Sequence, residues 1–158
     1  MATPGTGKAS MKHRFEIDID APIDEVWAAF DNPDNLGRWI RNLRSFTPLS
    51  GEPGQPGCTA EIVFEERGKS VKVRATITER RQPDFMAATC ETPHGSSLLV
   101  HHFESVGNGR TRWSSWSNFT FTGMMKYLSL FTAGSIRKRT EGDMQRFKLM
   151  VESDLSEV

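Results

Sequence analysis

The chain has no excess of charge of either sign: Lys and Arg number 20, and so do Asp and Glu. A nucleic-acid binder needs a basic surplus to displace phosphate counterions, so this balance argues against one. It argues equally against charge-driven attachment to an anionic membrane. No apolar run reaches the roughly 18 residues of a spanning helix, so no membrane insertion is expected. Cysteine is scarce. Cys58 and Cys90 make no disulfide framework and read as two reduced thiols in a cytoplasmic protein. Residues 1–10 hold one Lys and no apolar h-region. They read as a disordered leader and not as a signal peptide, which leaves residues 11–153 as a single domain. No HExxH, paired CxxC, G-x-S-x-G elbow, P-loop or dinucleotide fingerprint occurs, so neither a metal nor a cofactor is expected.

What is there is periodic. Phe15, Ile17 and Ile19 alternate with Glu16, Asp18 and Asp20, the period of a strand with one buried face. Ala21-Pro22 stops that strand, and proline suits the first position of a helix. Asp24 and Glu25 fall where the helix dipole favours negative charge. Ile23, Val26, Trp27 and Phe30 follow at helical spacing. Asp31-Asn32-Pro33-Asp34 repeats the pattern of polar cap and proline. It predicts a break and a second short helix through Leu36, with Gly37 near its end. Residues 49–57 carry Gly51, Pro53, Gly54, Pro56 and Gly57 and read as a loop.

Alternation then dominates. Ala60, Ile62 and Phe64 share one side of a strand. Val71, Val73, Ala75 and Ile77 alternate with Lys72, Arg74, Thr76 and Thr78, the cleanest strand signal in the sequence. Turns at Gly68-Lys69, Pro83-Asp84, residues 93–95 and residues 107–109 divide the stretch into five strands, the pattern of an antiparallel meander. Residues 124–133 are apolar without alternation. From about Ser135 a helical period returns, with Ile136, Thr140, Met144, Phe147 and Val151 on one face, which predicts a helix of roughly five turns. Strand, two short helices, a long antiparallel run and one long helix indicate an α+β domain with that helix packed on one face of the sheet.

The order of these pieces resembles a known superfamily. Ala21-Pro22-Ile23-Asp24-Glu25-Val26-Trp27, Asp31-Asn32-Pro33, Trp39 and the strand-opening Gly57 resemble the opening of the START and Bet v 1-like (SRPBCC) superfamily. The nearest look is to its polyketide cyclase/dehydrase and lipid-transport branch. Gly109-Arg110-Thr111-Arg112-Trp113 and residues 147–152 fit the same pattern, so the resemblance runs from Met11 to Glu152. It implies a helix-grip fold: a curved seven-stranded antiparallel sheet wrapped around a long C-terminal helix, with two short helices after the first strand. It also implies an enclosed space for lipids, sterols, polyketides, hormones or aromatic compounds. Some members are cyclases or hydroxylase components, so fold leaves function open.

Strand alternation assigns an inner face to that space. Ile62 and Phe64 point inward, as do Val71, Val73, Ala75 and Ile77. The next-to-last strand offers Ser97, Leu99, His101 and Phe103. The last offers Trp113, Ser115, Ser117, Phe119 and Phe121, which leaves Trp116 facing outward unless a bulge near Ser114-Ser115 turns it in. The helix brings Ile136, Thr140, Met144 and Phe147, and Trp39 sits at the rim. Each is also explained as ordinary core. The small hydroxyls of Ser97, Ser115, Ser117 and Thr140 favour a cavity, because buried hydroxyls need partners and such short side chains do not fill the space.

His101 is the candidate for chemistry, as an acid or base near pH 7 or simply as a half-buried histidine bonded to a hydroxyl. His102 faces the other way, so the pair cannot chelate one metal. Asp143 and Arg139 either look toward the cavity or pair on the helix surface. Three functions follow. The leading one is binding, for transport or sensing, of a small hydrophobic, lipid-like or aromatic molecule, with residues 124–131 as a lid. The others are a polyketide cyclase/dehydratase-like enzyme using His101 as acid/base, and a protein-interaction module docking through Trp116 or the Met-rich stretch. The expected partner is a small hydrophobic ligand, and the expected assembly is a monomer or homodimer.

Overall fold

The computed structural model describes residues 9–122 and 125–157, with side chains of the last helix from Gly134 onward. Strand β1 (Ala9–Ile19) leads into helix α1 (Ile23–Asp31), a 3-10 turn (Pro33–Asn35) and the short helix α2 (Leu36–Trp39). Six strands follow: β2 (Leu43–Ser50), β3 (Thr59–Glu66), β4 (Lys69–Arg81), β5 (Phe85–Thr92), β6 (Gly95–Ser105) and β7 (Thr111–Phe121). Helix α3 (Met125–Ser156) ends the fold. The seven strands form one antiparallel sheet in the order β1-β7-β6-β5-β4-β3-β2. Helix α3 packs mainly along β1 and β7 and against α1 and α2. This is the helix grip the sequence predicts.

Several elements differ from expectation. β1 starts at Ala9, so the leader read over residues 1–10 lies outside the described residues only as far as residue 8. Pro22 takes the N-cap of α1 in extended conformation and not the first helical position. Gly37 stands inside α2. β2 falls where residues 43–48 gave no strand signal, and Leu49 and Ser50, read as loop, belong to it. It is a sheet edge, and proline, which lacks a ladder donor, is tolerated there, as Pro48 is. The 32-residue α3 starts at Met125, so it runs for about nine turns instead of five. Met124 and the side chains of residues 125–131, to which the lid role was given, lie outside the described ones.

The core sits where α1, α2 and α3 meet one end of the sheet. Ile19, Val26, Trp27, Phe103, Trp113 and Phe147 are fully buried there. Polar ties hold the helices to the strands around it. Arg80 of β4 donates to Asp31 at the end of α1 through Nη2 at 2.8 Å, and its guanidinium lies 5.2 Å from the Trp27 ring. Arg38 forks onto Asp154 at 2.9 and 2.8 Å, fixing α2 to α3. Lys148 donates to the Asp18 carbonyl at 2.9 Å and joins α3 to β1. The hydroxyl of the buried Thr111 donates to the Ala21 carbonyl at 2.7 Å.

Candidate functional site

Neighbouring strands keep an unbroken register across β1, β7, β6 and β5, so side chains on the concave face fall into rows. The first row is Ile17, Trp113 and Phe103. The next is Phe15, Ser115, His101 and Met86. Then come His13, Ser117, Leu99, Ala88 and Ile77, and after them Met11, Phe119, Ser97, Cys90, Ala75 and Ala60. The inner-face alternation read from the sequence is the one the register places. No bulge interrupts β7, so Trp116 points outward between Arg14 and Val100, half-buried. His102 shares that outer side, opposite Ser114 and Phe85, and is exposed.

The fifteen residues assigned to a ligand divide into two groups. Trp39, Phe103, Trp113, Met144 and Phe147 are buried in the core cluster. Their rings are packed on one another: Phe147 lies 4.9 Å from Trp113 and 5.2 Å from Trp39, centroid to centroid. They are walls and not free lining. Phe64, Ala75, Leu99 and Phe119 also face the concave side yet are only half-buried, as are Ile62, Ile77 and Ala88. Val73 is buried, and Ile136 and Thr140 of α3 are half-buried. The Thr140 hydroxyl donates to Ile136 of its own helix at 2.9 Å, so it needs no outside partner, contrary to the expectation.

His101 sits at the boundary between the two groups. Its ring packs 5.0 Å from Phe30 and 5.8 Å from Trp113. Trp113 Nε1 donates to His101 Nδ1 at 3.3 Å, which leaves the ring proton on Nε2. Burial lowers its pKa from 6.5 to about 4. The imidazole is therefore neutral at pH 7, with one nitrogen engaged and one N–H to offer. That is a hydrogen-bond donor and a weak base. Ser115 and Ser117 are 7% and 8% exposed. Cys90 faces the same space, its thiol pushed up to about 11 by burial, partly opposed by the Ser97 hydroxyl.

His13 is among the inner residues that the sequence reading did not assign. It lies opposite Ser117, its ring 6.0 Å from Phe15 and 6.2 Å from Phe119. Its Nε2 is enclosed and has no partner among the described residues. Burial, and then the Arg137 charge, lower its pKa. Extending the alternation of Phe15, Ile17 and Ile19 backward by one step would have found it.

The charged candidates are paired. Arg139 bridges to Glu66 at the end of β3, and Asp143 pairs with Arg146 and accepts from the Arg41 backbone N–H at 3.3 Å. Burial still raises the Asp143 pKa. Among the described residues no group of three His, Cys, Asp or Glu side chains is arranged to hold a metal. No described helix is long and apolar enough to cross a membrane. An open groove of about 310 Å³ lies among Leu49, Val73 and Pro93 and the charged Glu61, Lys72, Arg74 and Glu91.

The family described as polyketide cyclase / dehydrase and lipid transport matches residues 10–150. The chain belongs to that family. Solved structures of this Bet v 1-like fold place the family member among proteins of different occupation. The Zhui aromatase/cyclase from Streptomyces sp. R1128 superposes with a TM-score of 0.80 at 10% identity, over 92% of this chain and 96% of that one. Ara h 8.0201 gives 0.72 at 15% identity, over 92% and 99%. Norcoclaurine synthase from Thalictrum flavum gives 0.68 at 11% identity, over 94% and 98%. A search among curated proteins finds no match. Identities this low carry the fold and nothing finer, so the use of the concave face has to be argued from its own residues.

Proposed function

We propose that this member of the polyketide cyclase/dehydrase and lipid-transport family binds a small hydrophobic molecule, lipid-like or aromatic, on the concave face beyond His101, and carries or senses it. The observation that supports this reading is incomplete burial. Leu99, Ala88, Ile77, Ala75 and Phe64 point into the curve of the sheet and still keep accessible surface. Apolar area left there is driving force for a ligand: covering about 200 Å² would contribute about 5 kcal/mol at roughly 25 cal/mol per Å². A reaction with His101 as acid/base has less support. A neutral imidazole whose Nδ1 already accepts from Trp113 holds a ligand better than it moves protons at pH 7.

Native mass spectrometry of the freshly purified chain tests this directly, together with thermal melting in the presence of acyl and aromatic compounds. Bound small-molecule mass, or a melting temperature that rises with ligand concentration, is expected. No bound mass and no shift with either class would reject the reading.

A further inference from the structure

Apart from Ser97 and Cys90, the polar side chains that the strands place on the concave face gather in one patch. His13 of β1 and His101 of β6 flank β7 on either side, opposite Ser117 and Ser115 respectively. These four are consecutive neighbours across three strands. Around them the same face shows Phe15, Met86, Leu99, Ala88 and Phe119. We infer that the ligand is an uncharged molecule bearing a hydroxyl or carbonyl group, and that the patch of His13, Ser115, Ser117 and His101 receives that group. This rests on the binding reading above and narrows it to a ligand class.

The hydrogen-bonding inventory supports the polar half of the inference. Among the described residues, His13 Nε2 is enclosed without a partner. His101 holds an N–H on Nε2, since its other nitrogen accepts from Trp113. Ser115 and Ser117 each offer a rotatable O–H that both donates and accepts. A buried polar atom left unpaired costs about 1–3 kcal/mol, so a ligand hydroxyl or carbonyl paired with His13 Nε2 offsets that cost.

The charge inventory supports the uncharged half. Among the described residues, the charged groups of α3 nearest the patch have partners. Arg137 of α3, whose guanidinium lies 5.9 Å from the Phe15 ring, sits 3.7 Å from Glu141. Arg139 is bound to Glu66, and Asp143 to Arg146. Lys12, Arg14 and Glu16 of β1 lie on the opposite side of the sheet, in register with Asn118, Trp116 and Ser114. A carboxylate or an ammonium entering this face would lose its water and find no unpaired counter-ion nearby among the described residues, a cost that neutral hydrogen bonds do not repay. Both histidines are disfavoured as cations by burial, so neither supplies a positive charge at neutral pH.

Two matched series separate the possibilities. One compares 2-naphthol, 2-naphthoate and 2-methylnaphthalene; the other compares 1-dodecanol with dodecanoate. Dissociation constants are measured at pH 7.5 by quenching of tryptophan fluorescence. At least tenfold tighter binding of 2-naphthol than of 2-naphthoate and 2-methylnaphthalene, or of dodecanol than of dodecanoate, is expected in the scaffold that fits. In His13→Phe and, separately, in the gentler Ser117→Ala, the advantage of naphthol over methylnaphthalene should fall to threefold or less, or that of dodecanol over dodecanoate should narrow by at least threefold. Retained binding of the weaker member of the pair reports that the cavity itself survives. If the acids bind as tightly as the hydroxyl compounds, or if both substitutions leave the preference intact, the polar-patch assignment is wrong while the cavity stands. If no compound of either series binds, the cavity reading fails and takes this inference with it.

Discussion

The two ends of the concave face share one alternation, yet one is packed with fully buried side chains and the other keeps accessible surface at Leu99, Ala88 and Ala75. At the filled end the row Ile17, Trp113 and Phe103 meets Trp27 and Phe30 of α1, Trp39 of α2 and Phe147 of α3. Six of these seven are aromatic, and they interlock edge to face, Trp27 on Phe103 at 5.8 Å and Trp39 on Trp113 at 5.8 Å. Two rows further on, the strands present Ser117, Ala88 and Leu99, then Ser97, Cys90, Ala75 and Ala60. Side-chain volume differs between the ends, and on the proposed reading the smaller side chains leave room for a guest.

That contrast is easiest to break by truncation. Phe147 is fully buried and touches Phe30, Trp39 and Trp113. Phe147→Ala is expected to cost about 3–5 kcal/mol, the range for a large ring removed from a packed core. Leu99→Ala should cost less than about 1.5 kcal/mol, because its side chain is only half-buried. Urea unfolding measures both. Equal losses would mean that the two ends are packed alike.

Acid probes the boundary. His101 has its pKa lowered from 6.5 to about 4 in the fold, so between those values the unfolded chain binds more protons than the folded one. Stability is therefore complete above pH 6.5 and falls as pH drops toward 4, by roughly 2–3 kcal/mol from this group. His13 is shifted in the same direction and adds to the slope. Asp18 and Asp154, held low by Arg112 and Arg38, have the same sign but act below the ordinary carboxylate value of 3.8. Unfolding free energies measured from pH 7 to 4.5 should show the slope, and His101→Phe should flatten it. An unchanged slope in that variant would place His101 in contact with water.

A smaller effect is expected at the seam behind the filled end. The Arg80 side chain is 12% exposed and Asp31 28%. Asp31→Asn removes the counter-charge from a guanidinium that cannot easily return to water. About 1–2 kcal/mol should be lost, less than for a fully buried pair. A loss within the noise of urea melts would assign the holding of α1 to Trp27 stacking alone.

The sequence made the filled end and the sheet faces legible for different reasons. Period-2 alternation carries the register of β4, β6 and β7, since a slip of one residue would turn every apolar side chain outward. Edge strand β2 was hidden because Arg44, Ser45 and Thr47 are exposed and Pro48 argues against a ladder, while a strand paired on one side alone imposes neither constraint. The first ten residues of α3 were hidden because they lack a polar face, so no helical period stands out. Alternation placed the candidate lining on the correct side, but it could not divide Phe103, Trp113 and Phe147, which fill the core, from Leu99 and Ala75, which do not. That division depends on how far α3 stands from each strand, a distance no local pattern encodes.

Enlarging a side chain is the test with the smallest expected effect on stability and the most to say about function. Ala21 at the filled end is 1% exposed, and Ala21→Leu should cost about 1–3 kcal/mol by overpacking. Ala75 lies between Ala60 and Cys90 in the open rows and is half-buried. Ala75→Leu adds the same three carbons where there is room for them, so stability should change by no more than about 0.5 kcal/mol in either direction, the range of substitutions that meet no packed neighbour. The same variant should weaken ligand binding, since the new side chain occupies space a guest would use. If Ala75→Leu destabilises as much as Ala21→Leu, the gap is already filled by the protein itself and the binding reading loses its site. If it is neutral and the ligand still binds unchanged, the guest sits nearer His13 and Ser117 than Ala75, on the β1 side of the sheet.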